Sequence, residues 1–266
     1  MNSLEKQMLE ILNVLHKEFC TVGVKAEFEA EGTRLEELLR LVEITYKANL
    51  ELAIKVGGCE AIKDLFDAKQ IGAEYIIAPM IESKYAVNKY NDSICRVWED
   101  SHMPLSTLFN IETITAYNNI NELVEEASNS SSITGIVFGR VDFALSNNLD
   151  RDEINNEFIY KCVLSVAEKC KERNLEFVVG GGVSPFAIDF LKKTSTIKLD
   201  RFETRKIIFD SSILLKDEEI INDALLLAVK FELLWLLNKK EYYSRIGAED
   251  NRRLEMLEKR WKVLNL

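Results

Sequence analysis

Apolar runs of strand length alternate with amphipathic helical stretches along most of this chain. The strand candidates are Val22–Phe28, Leu50–Val56, Tyr75–Met80, Ser106–Ile111, Gly135–Phe143, Glu176–Val179 and Ile197–Phe209, the last holding one strand or two. Between them lie helical stretches over Leu35–Ala48, Glu60–Lys69, Lys84–Trp98, Ala116–Ala127, Asn155–Arg173 and Pro185–Lys193. Alternation of this kind predicts an α/β fold with a parallel sheet and crossover helices. A repeat of roughly 25–35 residues suits βαβ units. Ser3–Phe19 reads as a leading helix, and Asp217–Asn238 and Ala248–Leu264 as two closing helices. Around Leu225, Ala228, Val229, Leu233 and Trp235 the first closing helix is apolar on most of its circumference. Such a helix is buried in its own domain or against a neighbouring subunit.

Parity sorts the side chains within each strand, because successive residues point to opposite faces. In the first run Val22, Val24, Ala26 and Phe28 share one face, and Lys25, Glu27 and Glu29 share the other. The apolar set is expected to meet the helices and the charged set to point inward. The same logic leaves Ala53, Lys55 and Gly57 inward on the second run, and groups Asn110 with Glu112 and Phe138 with Arg140 and Asp142. Arg201, Glu203 and Arg205 share a parity on the last run, and Glu82 lies just past the third. Buried unpaired charge is costly, so charge at nearly every strand end points to chemistry there. A stabilising ion network in the same place is the competing reading. Glu112 and Asp142 lie thirty positions apart, about one βα unit, which puts them at the same end of adjacent strands. Two hard carboxylates with open water positions suit Mg²⁺ or Mn²⁺.

At these residues the sequence resembles the HpcH/HpaI aldolase and citrate lyase family, in matching order over roughly residues 22–210. Ala78-Pro79-Met80 resembles its V-P-M strand, Ile111-Glu112-Thr113 its I-E-T motif, and Gly139-Arg140-Val141-Asp142-Phe143 its G-x-x-D-L motif. The resemblance implies a closed (β/α)8 TIM barrel or close variant, as one domain: a leading helix over 1–20, a barrel core over 21–210 and closing helices over 211–266. It implies metal ligation by Glu112 and Asp142. It further implies carbon–carbon bond chemistry through an enolate, next to a 2-keto acid or an acyl-CoA, with a small carboxylate as substrate. A homo-oligomer with exchanged C-terminal helices is also implied.

The chain departs from the family pattern twice. Lys55 stands where the family usually has an Arg, supplying charge without the bidentate fork. No His follows the first strand; the two histidines are His16, in the leading helix, and His102, in a loop. Glu27, Glu29 or Glu82 could act as base if its surroundings raise its pKa, and so could a metal-bound water. Lys55 and Arg140 are expected to balance charge. Lys25, Asn110, Gly139, Glu203 and Arg205 are expected to line the substrate site, with Gly57-Gly58 approaching closely. The loop Gly180–Ser184 before Pro185 is either a phosphate grip or a tight turn into a helix. Two other readings therefore stand beside the lyase: a barrel enzyme for a phosphorylated substrate, and a binding subunit that has lost catalysis.

Composition narrows the class. The 266 residues, 47% apolar and 29% charged, are those of a soluble globular chain. A net charge of −10 without a dense Lys/Arg cluster excludes a nucleic-acid footprint. Glu5, Lys6 and Glu10 interrupt any signal-peptide core, and Lys230 and Glu232 break the most apolar later stretch, Ala224–Leu237. No membrane association is expected. Cys20, Cys59, Cys95, Cys162 and Cys170 are scattered without CxxC spacing and read as reduced thiols of a cytoplasmic protein.

Overall fold

The computed structural model describes residues 1–99 and 106–264. His102 lies outside the described residues. Eight strands close into one barrel in sequence order. They are β1 (Thr21–Glu27), β2 (Glu51–Lys55), β3 (Tyr75–Ala78), β4 (Ser106–Ile111), β5 (Gly135–Gly139), β6 (Glu176–Gly180), β7 (Arg201–Glu203) and β8 (Ile207–Asp210). The helices are α1 (Ser3–Glu18), α2 (Leu35–Lys47), α3 (Ile62–Ile71), α4 (Lys84–Trp98), α5 (Ile114–Asn118), α6 (Ile120–Asn129), α7 (Arg140–Ser146), α8 (Glu157–Glu172), α9 (Ile188–Ser195) and α10 (Glu218–Leu264).

Strands β1 to β7 run parallel, and β8 pairs antiparallel with both β7 and β1. The barrel is thus a variant of the (β/α)8 plan. Only Thr204–Lys206 separate β7 from β8, and a parallel return needs a dozen or more residues. Side-chain alternation produces two separate apolar layers. Val24, Ala26, Leu52, Ile54, Ile76, Phe109, Ile136, Phe138, Phe177 and Phe209 join the large core beneath the helices. Ile77, Leu108, Val137 and Val178 form a small cluster with Tyr75 inside the barrel. Arg201, at the start of β7, pairs with Glu176 and lies 3.9 Å over the Tyr75 ring, so it sits at the end opposite the strand tips.

Two expectations need correction. The two closing helices are one 47-residue helix, α10, which runs unbroken through Gly247. A helix glycine costs only about 1 kcal/mol relative to alanine, and good helix formers surround this one. The fifth strand ends at Gly139 rather than Phe143, and α7 begins at Arg140. No helix among the described residues is long and apolar enough to cross a membrane.

A polar latch ties α10 to the barrel. The buried Glu5 carboxylate of α1 accepts from Arg40 Nε at 2.8 Å and the Asn2 backbone N–H at 2.7 Å. Glu37 of α2 accepts from Tyr243 Oη at 2.5 Å and pairs with Lys239 at 2.9 Å, both on α10. Burial would raise both carboxyls, but these donors and cations outweigh it and hold them below the ordinary 4.5. Folded values below the unfolded ones mean that the stability they contribute is present above pH 4.5 and is lost as pH falls through the folded values. Glu5→Gln should therefore lower Tm at neutral pH, and the gap to the parent should close in acid; thermal melts from pH 7 to 3 read this directly.

Candidate active site

The inward parity of β1 and β2 places Lys25, Glu27 and Lys55 in the barrel mouth, all buried. Lys25 Nζ lies 3.2 Å from Glu27 and closer still to Glu203 on β7. Burial disfavours the Lys25 ammonium, but Glu203 and Glu27 reverse this and raise its pKa. Burial likewise raises the Glu27 carboxyl, yet Lys25 leads the groups that bring it below 4.5. Lys55 Nζ stands 3.3 Å from Glu112 Oε2 and 3.2 Å from Glu29 Oε2. Its desolvation is outweighed by Glu112 and Glu29, so it stays charged.

Glu112 follows β4 and is 1% exposed. Its Oε2 also accepts from Asn110 Nδ2 at 2.7 Å, and its Oε1 accepts the Met80 backbone N–H at 2.9 Å. Met80 adopts φ +51°, a left-handed conformation rare for a non-glycine residue, and this turns its N–H toward Glu112. Gly139 makes room opposite: a Cβ there would lie 3.0 Å from Glu112 Cβ and 3.2 Å from Oε2. Asp142 reaches the same mouth from the first turn of α7, at the exposed rim. Burial of its carboxyl and then the Glu112 charge raise its pKa, with Lys55 opposing. Glu112 and Asp142 are therefore electrostatic neighbours.

Among the described residues the carboxylates Glu27, Glu29, Glu112, Asp142 and Glu203 thus gather with the ammonium groups of Lys25 and Lys55, and the buried Lys206, paired with Glu31, also acts on Glu27. Asn110 Oδ1 is buried there without a hydrogen-bond donor. A surplus of negative charge with hard oxygen donors fits a divalent cation such as Mg²⁺ or Mn²⁺. No cluster of three or more His, Cys, Asp or Glu side chains forms a metal cage among the described residues. Glu112 and Asp142, with the unpartnered Asn110 Oδ1, are the oxygen donors that would hold such an ion.

Other sequence candidates lie elsewhere. Arg140 points away from the mouth, on the outward parity of Phe138. Its guanidinium donates to Gly180 O at 3.2 Å, Gly181 O at 2.7 Å and Asn155 Oδ1 at 2.6 Å, and stacks 4.8 Å over Phe190. Burial without a carboxylate partner brings its pKa down to about 10. Arg140 is therefore a clamp on the Gly180–Gly182 turn, and it takes up the Gly180 and Gly181 carbonyls of the supposed phosphate loop. Arg140→Met should leave those carbonyls without a donor and cost about 3 kcal/mol, read as a lower Tm, with kcat much less affected than stability.

Glu82 accepts from Thr113 Oγ1 at 2.5 Å, and its carbonyl accepts from Asn119 Nδ2 at 2.8 Å, so it braces the loop after β4. The Gly57 N–H donates to Asp64 Oδ2 at 2.8 Å, which puts a carboxylate where an anion would bind. A Cβ on Gly58 would meet nothing within 4 Å. Arg205 is largely exposed and lies 3.8 Å from Glu31, which also pairs with the buried Lys206. The Met80 N–H bond to Glu112 and the parts played by Asn155 and Lys206 have no local signal in the sequence; those of Asn155 and Lys206 depend on partners distant along the chain.

No protein-family model matches the chain, and no curated protein does. Solved structures do. An HpcH/HpaI aldolase from Desulfitobacterium hafniense DCB-2 superposes with a TM-score of 0.59 at 11% identity, covering 74% of this chain and 82% of that one. An HpcH/HpaI aldolase/citrate lyase family protein from Burkholderia cenocepacia J2315 gives 0.59 at 11% identity, over 90% of this chain and 100% of the other. RipC from Yersinia pestis gives 0.51 at 13% identity, over 75% and 86%. The chain therefore has the fold of HpcH/HpaI-type aldolase barrels. This is the family that the strand-end motifs resemble.

Proposed function

We propose that this protein is a divalent-metal-dependent carbon–carbon lyase or aldolase that acts through an enolate on a 2-keto acid or related carboxylate. The observations that support this reading are the buried Glu112 carboxylate 3.3 Å from Lys55 in the barrel mouth, and Asp142 in the first turn of α7, near enough for the Glu112 charge to act on it. Bound there, Mg²⁺ or Mn²⁺ would supply a Lewis acid for the substrate carbonyl. Lys55 adds a fixed positive charge for the oxygen on which negative charge develops. Glu29, whose buried Oε2 accepts no hydrogen bond, is the carboxylate best placed to move the proton. Lys25 orders Glu27 and Glu203 around the floor of the same site.

The test is exchange of pyruvate methyl protons into deuterated water, followed by NMR with and without Mg²⁺ or Mn²⁺. Metal-dependent exchange that disappears in Glu112→Gln is the expected result. Pyruvate that binds without exchanging would overturn the proposal and favour a binding subunit.

A further inference from the structure

Lys206 is a buried ammonium with no part in the proposed chemistry. It ends the short link Thr204–Lys206, and the reversal of β8 keeps that link at the mouth, directly after Glu203. Its backbone is fixed from two sides. The Lys206 carbonyl accepts from the Lys25 N–H of β1 at 2.8 Å, and the Thr204 N–H donates to the Ile207 carbonyl at 2.9 Å. The side chain is 1% exposed, pairs with Glu31 and brings Nζ 5.8 Å from the centre of the Trp235 ring. Burial lowers its pKa, with the Glu31 charge opposing. A buried ion pair adds little net stability, because desolvation of the two ions offsets their attraction. Its larger effect is on the placement of the chain that carries the partner.

Glu31 lies in the connection from β1 to α2, two residues beyond Glu29. Among the described residues, backbone hydrogen bonds hold this connection near its ends. The Phe28 N–H donates to Lys55 O at 2.8 Å, and the Thr33 N–H to Glu27 O at 3.2 Å. Between them Gly32 turns the chain at φ +54°. Carboxylates tie down the middle: Glu29 lies 3.2 Å from Lys55, and Glu31 grips Lys206. Thr33 Oγ1 also donates to Glu31 at 3.4 Å, but it belongs to the same connection. Arg205 stands 3.8 Å from Glu31 and is more than half exposed, so solvent screens that pair. Lys206 is thus the rigid anchor of the segment.

We infer that Lys206 is a positioning residue: by gripping Glu31 it fixes the β1–α2 connection to β8 and so holds Glu29 against Lys55. Its importance for turnover rests on the reading of Glu29 as the group that moves the proton. Among the described residues its ion-pair partner is Glu31 rather than Glu112 or Asp142, so cation binding should not depend on it.

The test compares Lys206→Met, Glu31→Gln and the double variant with the parent. The readouts are pyruvate proton exchange with Mn²⁺, Mn²⁺ affinity, Tm, and amide hydrogen–deuterium exchange over residues 28–33. Each single variant should lower the kcat of proton exchange about 100-fold, the scale expected when a reacting group is displaced by about 1 Å. KM for pyruvate and Mn²⁺ affinity should stay at the parent values, and the amides of 28–33 should exchange faster. The double variant leaves neither ion buried without its partner, so its Tm should return towards that of the parent, while kcat stays as low as in either single variant. A pair that matters only for stability would recover kcat together with Tm, and that result would overturn the inference. Unchanged amide protection in Lys206→Met would overturn it too, as would a loss confined to Mn²⁺ or pyruvate affinity. A parent that exchanges no pyruvate protons would instead sink the enolate reading, and the amide protection alone would then decide for or against the anchor.

Discussion

Glu112→Gln should abolish divalent-cation binding and lower kcat/KM about 10³-fold, while the barrel stays folded. Gln has the shape of Glu and keeps an oxygen to accept the Met80 N–H. It loses the negative charge that the cation requires. Lys55 then retains Glu29 at 3.2 Å as a partner, so the cost to Tm should be modest. The control is Glu82→Gln. Glu82 braces Thr113 and Asn119 rather than lining the mouth, and its loss should leave kcat/KM near that of the parent. Steady-state kinetics on the two variants separate a carboxylate that does chemistry from one that holds a loop.

Gly181→Ala should damage stability and activity together. Gly181 sits at φ +80°, and a Cβ there would lie 2.8 Å from the Val141 backbone N and 2.9 Å from that of Arg140. Those atoms begin α7, so they cannot swing aside as a flexible side chain could. The left-handed strain and the overlap together should cost about 3 kcal/mol or more. Relief requires moving the start of α7, which is the turn that places Asp142. A lower Tm together with weakened Mn²⁺ binding is the expected result. Asn155→Ala, which removes one acceptor of the Arg140 guanidinium, should lower Tm by less and leave Mn²⁺ binding nearly unchanged.

The parts of this architecture that were legible in the sequence are those where regular alternation holds. On β1 and β2 the charged residues do share the inward face, because both segments are uninterrupted strands. Parity kept Arg140 with Phe138, but that face meets the helices rather than the mouth, and the strand stops at Gly139, where helical geometry takes over. Asp142 still reaches the mouth, but from the first turn of α7. The reversal of β8 was readable in principle from the three-residue link Thr204–Lys206, which is too short for a parallel crossover. The continuity of α10 through Gly247 was not, because a single glycine weakens a helix without ending it. The left-handed turn at Met80 has no signal in residue type, for methionine has no preference for that conformation. The partners of Arg140 are likewise invisible locally, being 15 to 41 positions distant.

Titration of the protein with Mn²⁺, followed by electron paramagnetic resonance, addresses the shared cation most directly. The arrangement of Glu112 and Asp142 predicts one site per chain in the parent protein, lost in Glu112→Gln and separately in Asp142→Asn. Binding that survives both substitutions, or no binding in the parent, would contradict it.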